Sequence, residues 1–322
     1  MLKRLLAGCA ALAFALTSSA QDYPTRTVTI VVPFAAGGPT DTVARLLAQS
    51  MTRSLGHTVI VENVSGAGGT IGVEKVAKSK PDGYTTLLMH IGISTARSLY
   101  RNLRYDVLKE LDPIGLITDV PMTLVARKDF PPKDMKELIA YVKANKDKVT
   151  YANAGVGAAS HLCGMLFMTA IDTDITTVPY KGTGPAMTDL IGGQVDFMCD
   201  QTTNTTAQIK GGKIKAYAVT TPRRVPSLQD LPTAEESGLR GFEVAVWHGF
   251  WVPHGTPKAA QDKLVAALQA ALRDPAVISK FSELGTEPVA QSRATPAALE
   301  AQLKSEIAKW GPIIRKAGVY AD

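Results

Sequence analysis

The chain of 322 residues carries 35 Lys and Arg against 29 Asp and Glu, a formal net charge of +6, and 45% of its residues are apolar. An excess this small, without a block of five or six basic residues, leaves no electrostatic footprint of a nucleic-acid binder. A mild positive field suits anionic ligands, and the length exceeds what one core usually supports, so two lobes are expected.

Lys3 and Arg4, an apolar run from Leu5 to Leu16 and the small residues Thr17, Ser18, Ser19 and Ala20 read as a secretory signal, residues 1–20, cleaved after Ala20. The run is too short to span a bilayer, and no later segment does so. Leu6-Ala7-Gly8-Cys9 has the look of a lipobox, yet a cysteine at position nine leaves almost no hydrophobic core before it. Cleavage takes the charge to +4 and leaves Cys163 and Cys199 as the remaining thiols, either paired in an oxidising compartment or buried as small apolar groups.

From Thr27 onward one pattern recurs: a short β-branched run, a glycine turn, then helical spacing, which is the pattern of an α/β fold. Strand 27–32 leads through turn 33–40 to a helix in which Val43, Leu46, Leu47, Met51 and Leu55 share a face, ending near Gly56. Strand 57–64, turn 65–69, a helix through Val73, Val76 and Ala77, and strand 84–89 follow. Residues 90–112 read as irregular, and 114–126 as extended chain crossing into a second lobe that opens with helix 131–145. There the pattern repeats: strand 149–152, turn 155–160, a helix through Met168, strand 175–179, turn 182–184, a helix to Ile191, and strands 195–199 and 216–220. Run 242–252 returns the chain to the first lobe, where helices 259–273 and 296–317 pack, the latter capped by Thr295 and interrupted by Pro312. Two crossings make a hinge, with 21–120 and 249–322 in one lobe and 121–248 in the other.

The segment from Phe34 through Ala35, Gly37, Gly38, Pro39 and Thr40 to Asp41 joins a buried strand to a helix, with Pro39 suited to the first helical position. Free N–H groups and the positive dipole end favour an anion there, carboxylate or phosphate alike; a plain glycine turn capped by Thr40 or Asp41 is the simpler reading. Three further turns of this type, at 67–70, 155–160 and 182–185, weigh against the simpler reading. No Walker pattern and no GxGxxG is present, so a nucleotide cofactor is not expected. Ser160, His161 and Cys163 bring a nucleophile and a base close in sequence, but neighbours two apart on a helix diverge, and no paired spacing marks a metal site. Arg97, near His90 and Ser94, has the chemistry to clamp a carboxylate through two parallel hydrogen bonds or else faces solvent. Asp200, Gln201, Thr202 and Asn204 follow a strand end, and Trp247, His248 and Trp251 lie on the second crossing, where Trp251 packs in the core or stacks on a planar ligand.

Tyr23-Pro24, Val32-Pro33-Phe34, Gly37-Gly38, the run Asp41 to Arg45, Val61-Glu62-Asn63, Gly66 to Gly69, Pro81 to Tyr84, Ser160-His161-Leu162, Val178 to Gly182, Gly192 to Asp196 and Gly255-Thr256-Pro257 stand in an order that resembles the tripartite tricarboxylate transporter substrate-binding proteins, or Bug receptors, over residues 21–322. The resemblance implies a type II periplasmic binding protein fold, two α/β lobes joined by a two-strand hinge. It also implies a periplasmic, monomeric, non-enzymatic receptor without metal or cofactor that passes a small carboxylate to the membrane subunits of a secondary transporter. Turns 34–41 and 155–161 hold one ligand carboxylate in that family, which brings Gly157, Ala158, Ser160 and His161 beside the first turn; Thr183 and Asp200 are placed with them as cleft residues. The sequence departs from such receptors at 91–97, where Ile93, Ala96 and Arg97 suit a flat ligand with a distal carboxylate, such as an aromatic dicarboxylate of terephthalate type. A hydrolase built on Ser160, His161 or Cys163 and a sensory receptor for a signalling partner are the alternatives.

Overall fold

The computed structural model describes residues 23–321; the expected signal segment and Cys9 lie outside them. Strand β1 (Val28–Val32) sits between β2 (Val59–Asn63) and β3 (Thr85–His90) in a parallel sheet, with helix α1 (Pro39–Leu55) between β1 and β2 and α2 (Thr70–Ala77) before β3. Val28, Ile30, Val31 and Val32 are fully buried, as in a sheet covered on both faces. Gly56, in the left-handed region at φ 71°, ends α1 where its apolar period ends.

Residues 90–112 hold two short helices, α3 (Gly92–Leu99) and α4 (Val107–Glu110), where irregular chain was expected. Ser94 and Thr95 turn their hydroxyls back onto Ile91 O and Gly92 O, satisfying locally a helix that Ile-Ser-Thr would not propagate alone.

The 17-residue strand β4 (Leu111–Arg127) then crosses between lobes. Up to Pro121 it pairs antiparallel with β9 (Ala245–Pro253), which also pairs with β3; from Met122 it pairs with strands of a second sheet. That sheet holds β5 (Thr150–Asn153), β6 (Thr176–Pro179), β7 (Phe197–Gln201) and β8 (Ile214–Val219), with helices α5 (Met135–Ala144), α6 (Ala159–Ile171), α7 (Thr183–Ile191) and α8 (Thr202–Lys210). Helix α8 was not expected from its threonine-rich sequence; Thr202 and Thr206 hold it by donating to Gly285 O and Leu284 O of the other lobe. After β9, α9 (Lys258–Ala271) packs on α1, α10 (Pro275–Glu283) follows, and α11 (Pro296–Ala317), capped by the Thr295 side chain, runs through Pro312 and packs on α3.

Cys163 of α6 and Cys199 of β7 are joined in a disulfide, the first of the two arrangements open from the sequence. The bond ties together two elements whose ends reach the interlobe cleft.

Where β4 changes partners, Thr220 ties both crossings. Its backbone exchanges hydrogen bonds with Met122 and Val244, and its hydroxyl donates to Val244 O (2.6 Å) while accepting from Met122 N–H (3.2 Å). Thr220→Val would leave these buried groups partly unsatisfied, at a cost of about 1–3 kcal/mol in urea unfolding. A change under about 0.5 kcal/mol would show that the hinge does not depend on this hydroxyl.

Candidate functional site

Four helices begin at one place. The first residues of α1, α6 and α7 and the residue preceding α8 surround a cavity of ≈ 10 Å³ between the lobes, lined by Phe34, Gly38, Pro39, Thr40, Asp41 and His90 from one lobe and Ala154, Ala159, Ser160, Thr183, Asp200 and Gln201 from the other. None of these four helices has a side-chain cap on its first-turn N–H groups; away from the cavity α4, α5, α10 and α11 are capped by Asp106, Asp134, Asp274 and Thr295, while α2, α3 and α9 are not. Uncapped donors converging on a buried space, each at a positive dipole end, have the chemistry to solvate an anion without a cation.

Each lining group is held in place. Asp41 is a buckle rather than a contact: its oxygens accept from Gly37 N–H (3.0 Å), Arg45 Nε (2.9 Å) and Asn63 Nδ2 (2.9 Å), and Asn63 also donates to Phe34 O. Burial alone would raise its pKa, but the hydrogen bonds from Arg45, Gly37 and Asn63 and the Arg45 charge outweigh it, so Asp41 stays ionised. His90 stacks on Phe34 at 4.7 Å and accepts Gly92 N–H at Nδ1, which leaves Nε2–H as its donor. Burial lowers its pKa to about 4, so it is neutral. Thr40 Oγ1 meets His248 Nε2 at 3.3 Å. Ser160 accepts Ala154 N–H at Oγ, leaving its own proton to donate.

Asp200 accepts from Gln201 N–H (2.8 Å) and Asn204 Nδ2 (2.6 Å). Burial raises its pKa to about 6 against these bonds. Thr183 Oγ1 and Gln201 Oε1 are buried without a hydrogen-bond partner among the described residues. Thr183 still lies near enough to Asp200 to lower its pKa slightly, an electrostatic proximity that falls short of hydrogen-bond geometry. Such orphaned polar atoms in the cavity are open to hydrogen bonds from a ligand or a water.

Of the residues singled out in the sequence, Phe34, Gly38, Thr40, Asp41, His90, Ser160, Thr183 and Asp200 come together here. Ala35 and Gly37 shape the first turn, the Ala35 N–H donating to Lys181 O across the cleft. Gly157 and Ala158 shape the second: Ala158 precedes α6, and Gly157 donates to His161 Nδ1. His161 lines a separate groove with Met165 and Asp172, and Cys163 is spent in the disulfide, so no nucleophile–base pair forms with Ser160. Ser94 is bonded to Ile91 O. Arg97 lies outside the cavity, about half exposed and 3.9 Å from Asp106, in a surface groove beside Arg315. It sits on an outer turn of α3, a helix that periodicity did not reveal. Trp247 and Trp251 pack on each other in the core. Ala159 lies within the turn 155–160 that the sequence singled out, whereas Ala154, just before it, carries no polar group that would have signalled it.

The lobes meet backbone to backbone. A Cβ on Gly184 would lie 2.9 Å from Ala36 O, and one on Gly68 only 1.9 Å from Val156 O. Beside Gly68, Tyr100 OH donates to Val156 O (2.9 Å) and Thr95 Oγ1 to Gly157 O (3.2 Å), which closes the rim.

The model of the tripartite tricarboxylate transporter family receptor matches residues 43–319. A protein of Agrobacterium vitis from the TAR-I ttuE-ttuC' intergenic region is 55% identical over 302 residues, 94% of this chain and 87% of that one. The structure of periplasmic binding protein BugD superposes with a TM-score of 0.90 at 58% identity, covering 92% of this chain and 99% of its own. MatC from Rhodopseudomonas palustris with bound malate superposes with a TM-score of 0.88 at 42% identity, over 91% and 100% of the two chains.

Gly68→Ala would hold the lobes apart. X-ray scattering should show a larger radius of gyration than wild type with unchanged secondary structure; an unchanged radius would mean that the 65–69 turn yields instead.

Proposed function

From the premise that this chain belongs to the tripartite tricarboxylate transporter family of receptors, we propose that it is a periplasmic solute-binding receptor that closes two lobes over a small organic carboxylate. The matched family is one of receptors rather than enzymes, and the Ser160, His161 and Cys163 placement offers no catalytic pair. The observation that carries the carboxylate is the set of four uncapped helix N-termini around a cavity with no Lys or Arg in its lining. Thr40, Ser160, Thr183 and Gln201 supply the directed hydrogen bonds that fix orientation.

The malate in the MatC structure supports a dicarboxylate. The aromatic, terephthalate-type reading rests now on the Phe34–His90 stack rather than on Arg97, which lies off the cavity. The closed lobes leave far less space than a four-carbon diacid occupies, so entry requires them to part, and closure would present a surface drawn from both lobes to the transporter's membrane subunits. Residues 1–20 direct export in this reading, and the receptor acts as a monomer.

Calorimetry and thermal shift with malate, succinate, adipate and terephthalate test it on protein stripped of carried-over ligand. At a hundred times its dissociation constant, a true ligand stabilises by about 2.7 kcal/mol, whereas silence from all four would remove the carboxylate reading.

Thr183→Val replaces an orphaned buried hydroxyl with a methyl group. The unliganded protein should be as stable or more so, while carboxylate affinity falls about 2- to 12-fold, the range of one hydrogen bond. Arg97→Ala should leave affinity unchanged. A loss on Arg97→Ala with none on Thr183→Val would move the site to the α3 groove.

A further inference from the structure

The cavity holds a carboxyl group with no cation to match it among the described residues. Asp200 is 1% exposed; its side chain accepts from a backbone N–H and the Asn204 amide, and the Thr183 hydroxyl lies nearby, all of them neutral. From the facing elements come Asp41 of α1, whose charge is answered by Arg45 on its far side, and His90 of β3. His248 of β9 stands behind Thr40, and Tyr151 of β5 interacts with Asp200 from the same sheet. None supplies a positive charge: burial keeps both histidines neutral, and burial raises the Tyr151 hydroxyl far out of the titrating range. A dianion drawn in by the helix N-termini therefore meets a second carboxylate in a closed, poorly hydrated space, and two like charges so placed cannot both stay ionised.

Two groups could relieve this by protonation. His90 would have to surrender the Gly92 N–H that it accepts at Nδ1. Asp200 loses nothing comparable: a protonated oxygen can donate to Thr183 Oγ1, which has no partner of its own, or to the ligand. Burial also brings Asp200 nearer to taking up a proton at neutral pH than His90, at about 6 against about 4. Resting on the carboxylate reading above, we propose that binding a dicarboxylate takes up one proton from solution and that Asp200 holds it against the ligand. The receptor is then tuned to an acidic periplasm, gaining affinity as pH falls toward 6.

The sign follows from linkage. If the bound state holds the proton and the free state does not, affinity declines about tenfold per pH unit above the free carboxyl's pKa, until the bound group itself titrates. Calorimetry of malate binding at pH 7.5 in phosphate and in Tris, buffers of different protonation enthalpy, reads the proton number directly. The expected result is between about 0.5 and 1 proton taken up per malate, with Kd weakening correspondingly by about 3- to 10-fold between pH 7 and 8. Asp200→Asn should bind with no uptake and a flat pH profile. Buffer-independent enthalpy and a flat profile in the wild type would overturn the proposal even if the variant fails to fold. Uptake persisting in Asp200→Asn would place the proton on His90 and overturn it as well. Absence of binding by malate, succinate, adipate and terephthalate alike defeats the carboxylate reading and this inference with it, whereas binding without uptake defeats this inference alone.

Discussion

The architecture turns on solvating a buried anion without burying a cation beside it. A lysine or arginine in so small a closed space would need its own desolvation and its own partners. Backbone N–H groups at helix starts are already desolvated and aimed, so they bind charge with little reorganisation. That choice dictates the rest. Helices begin where strands end, so four strand–turn–helix units deliver an N-terminus to the cleft, that of α1 from one lobe facing those of α6, α7 and α8 from the other. Turns that bring backbone against backbone exclude side chains at the contact, which is why Gly68 and Gly184 sit there.

Two carboxyl groups in the same lining show how environment divides roles. Asp41 is surrounded by donors from its own lobe and is paired with Arg45 on the outer side, so its charge is neutralised before the ligand arrives and it serves to hold the first turn. Asp200 has comparable hydrogen bonds but no ion partner, and burial governs its titration. Sequence alone does not separate the two, because the difference lies in what stands opposite each of them.

Sequence legibility followed the same physics. Strands and helices with strong periodicity, such as Pro39–Leu55 and Val28–Val32, are readable because their burial pattern is written in consecutive residues. Gly92–Leu99 and Thr202–Lys210 are not, since their stability comes from hydroxyls bonded locally or to a distant segment. The glycine turns were legible as a repeated motif, and with them most of the cavity lining. Arg97 was misplaced for a physical reason: a guanidinium is informative only if its helix face is known, and the helix itself was hidden. Ala154 contributes shape alone, which a single residue does not announce.

Closure separates affinity from selectivity. In the proposed reading, groups in the cavity touch the ligand and decide which carboxylate is accepted. Groups on the rim, Tyr100 and Thr95 against the carbonyls of Val156 and Gly157 and the Ala35 N–H against Lys181 O, touch only the other lobe and favour the closed form whatever lies inside. The free energy of binding is then the sum of ligand contacts and rim contacts, less the cost of bending β4 and the Thr220 junction away from their open geometry. A receptor built this way can change its ligand by exchanging cavity residues while leaving the rim and hinge intact, because the two sets share no side chain.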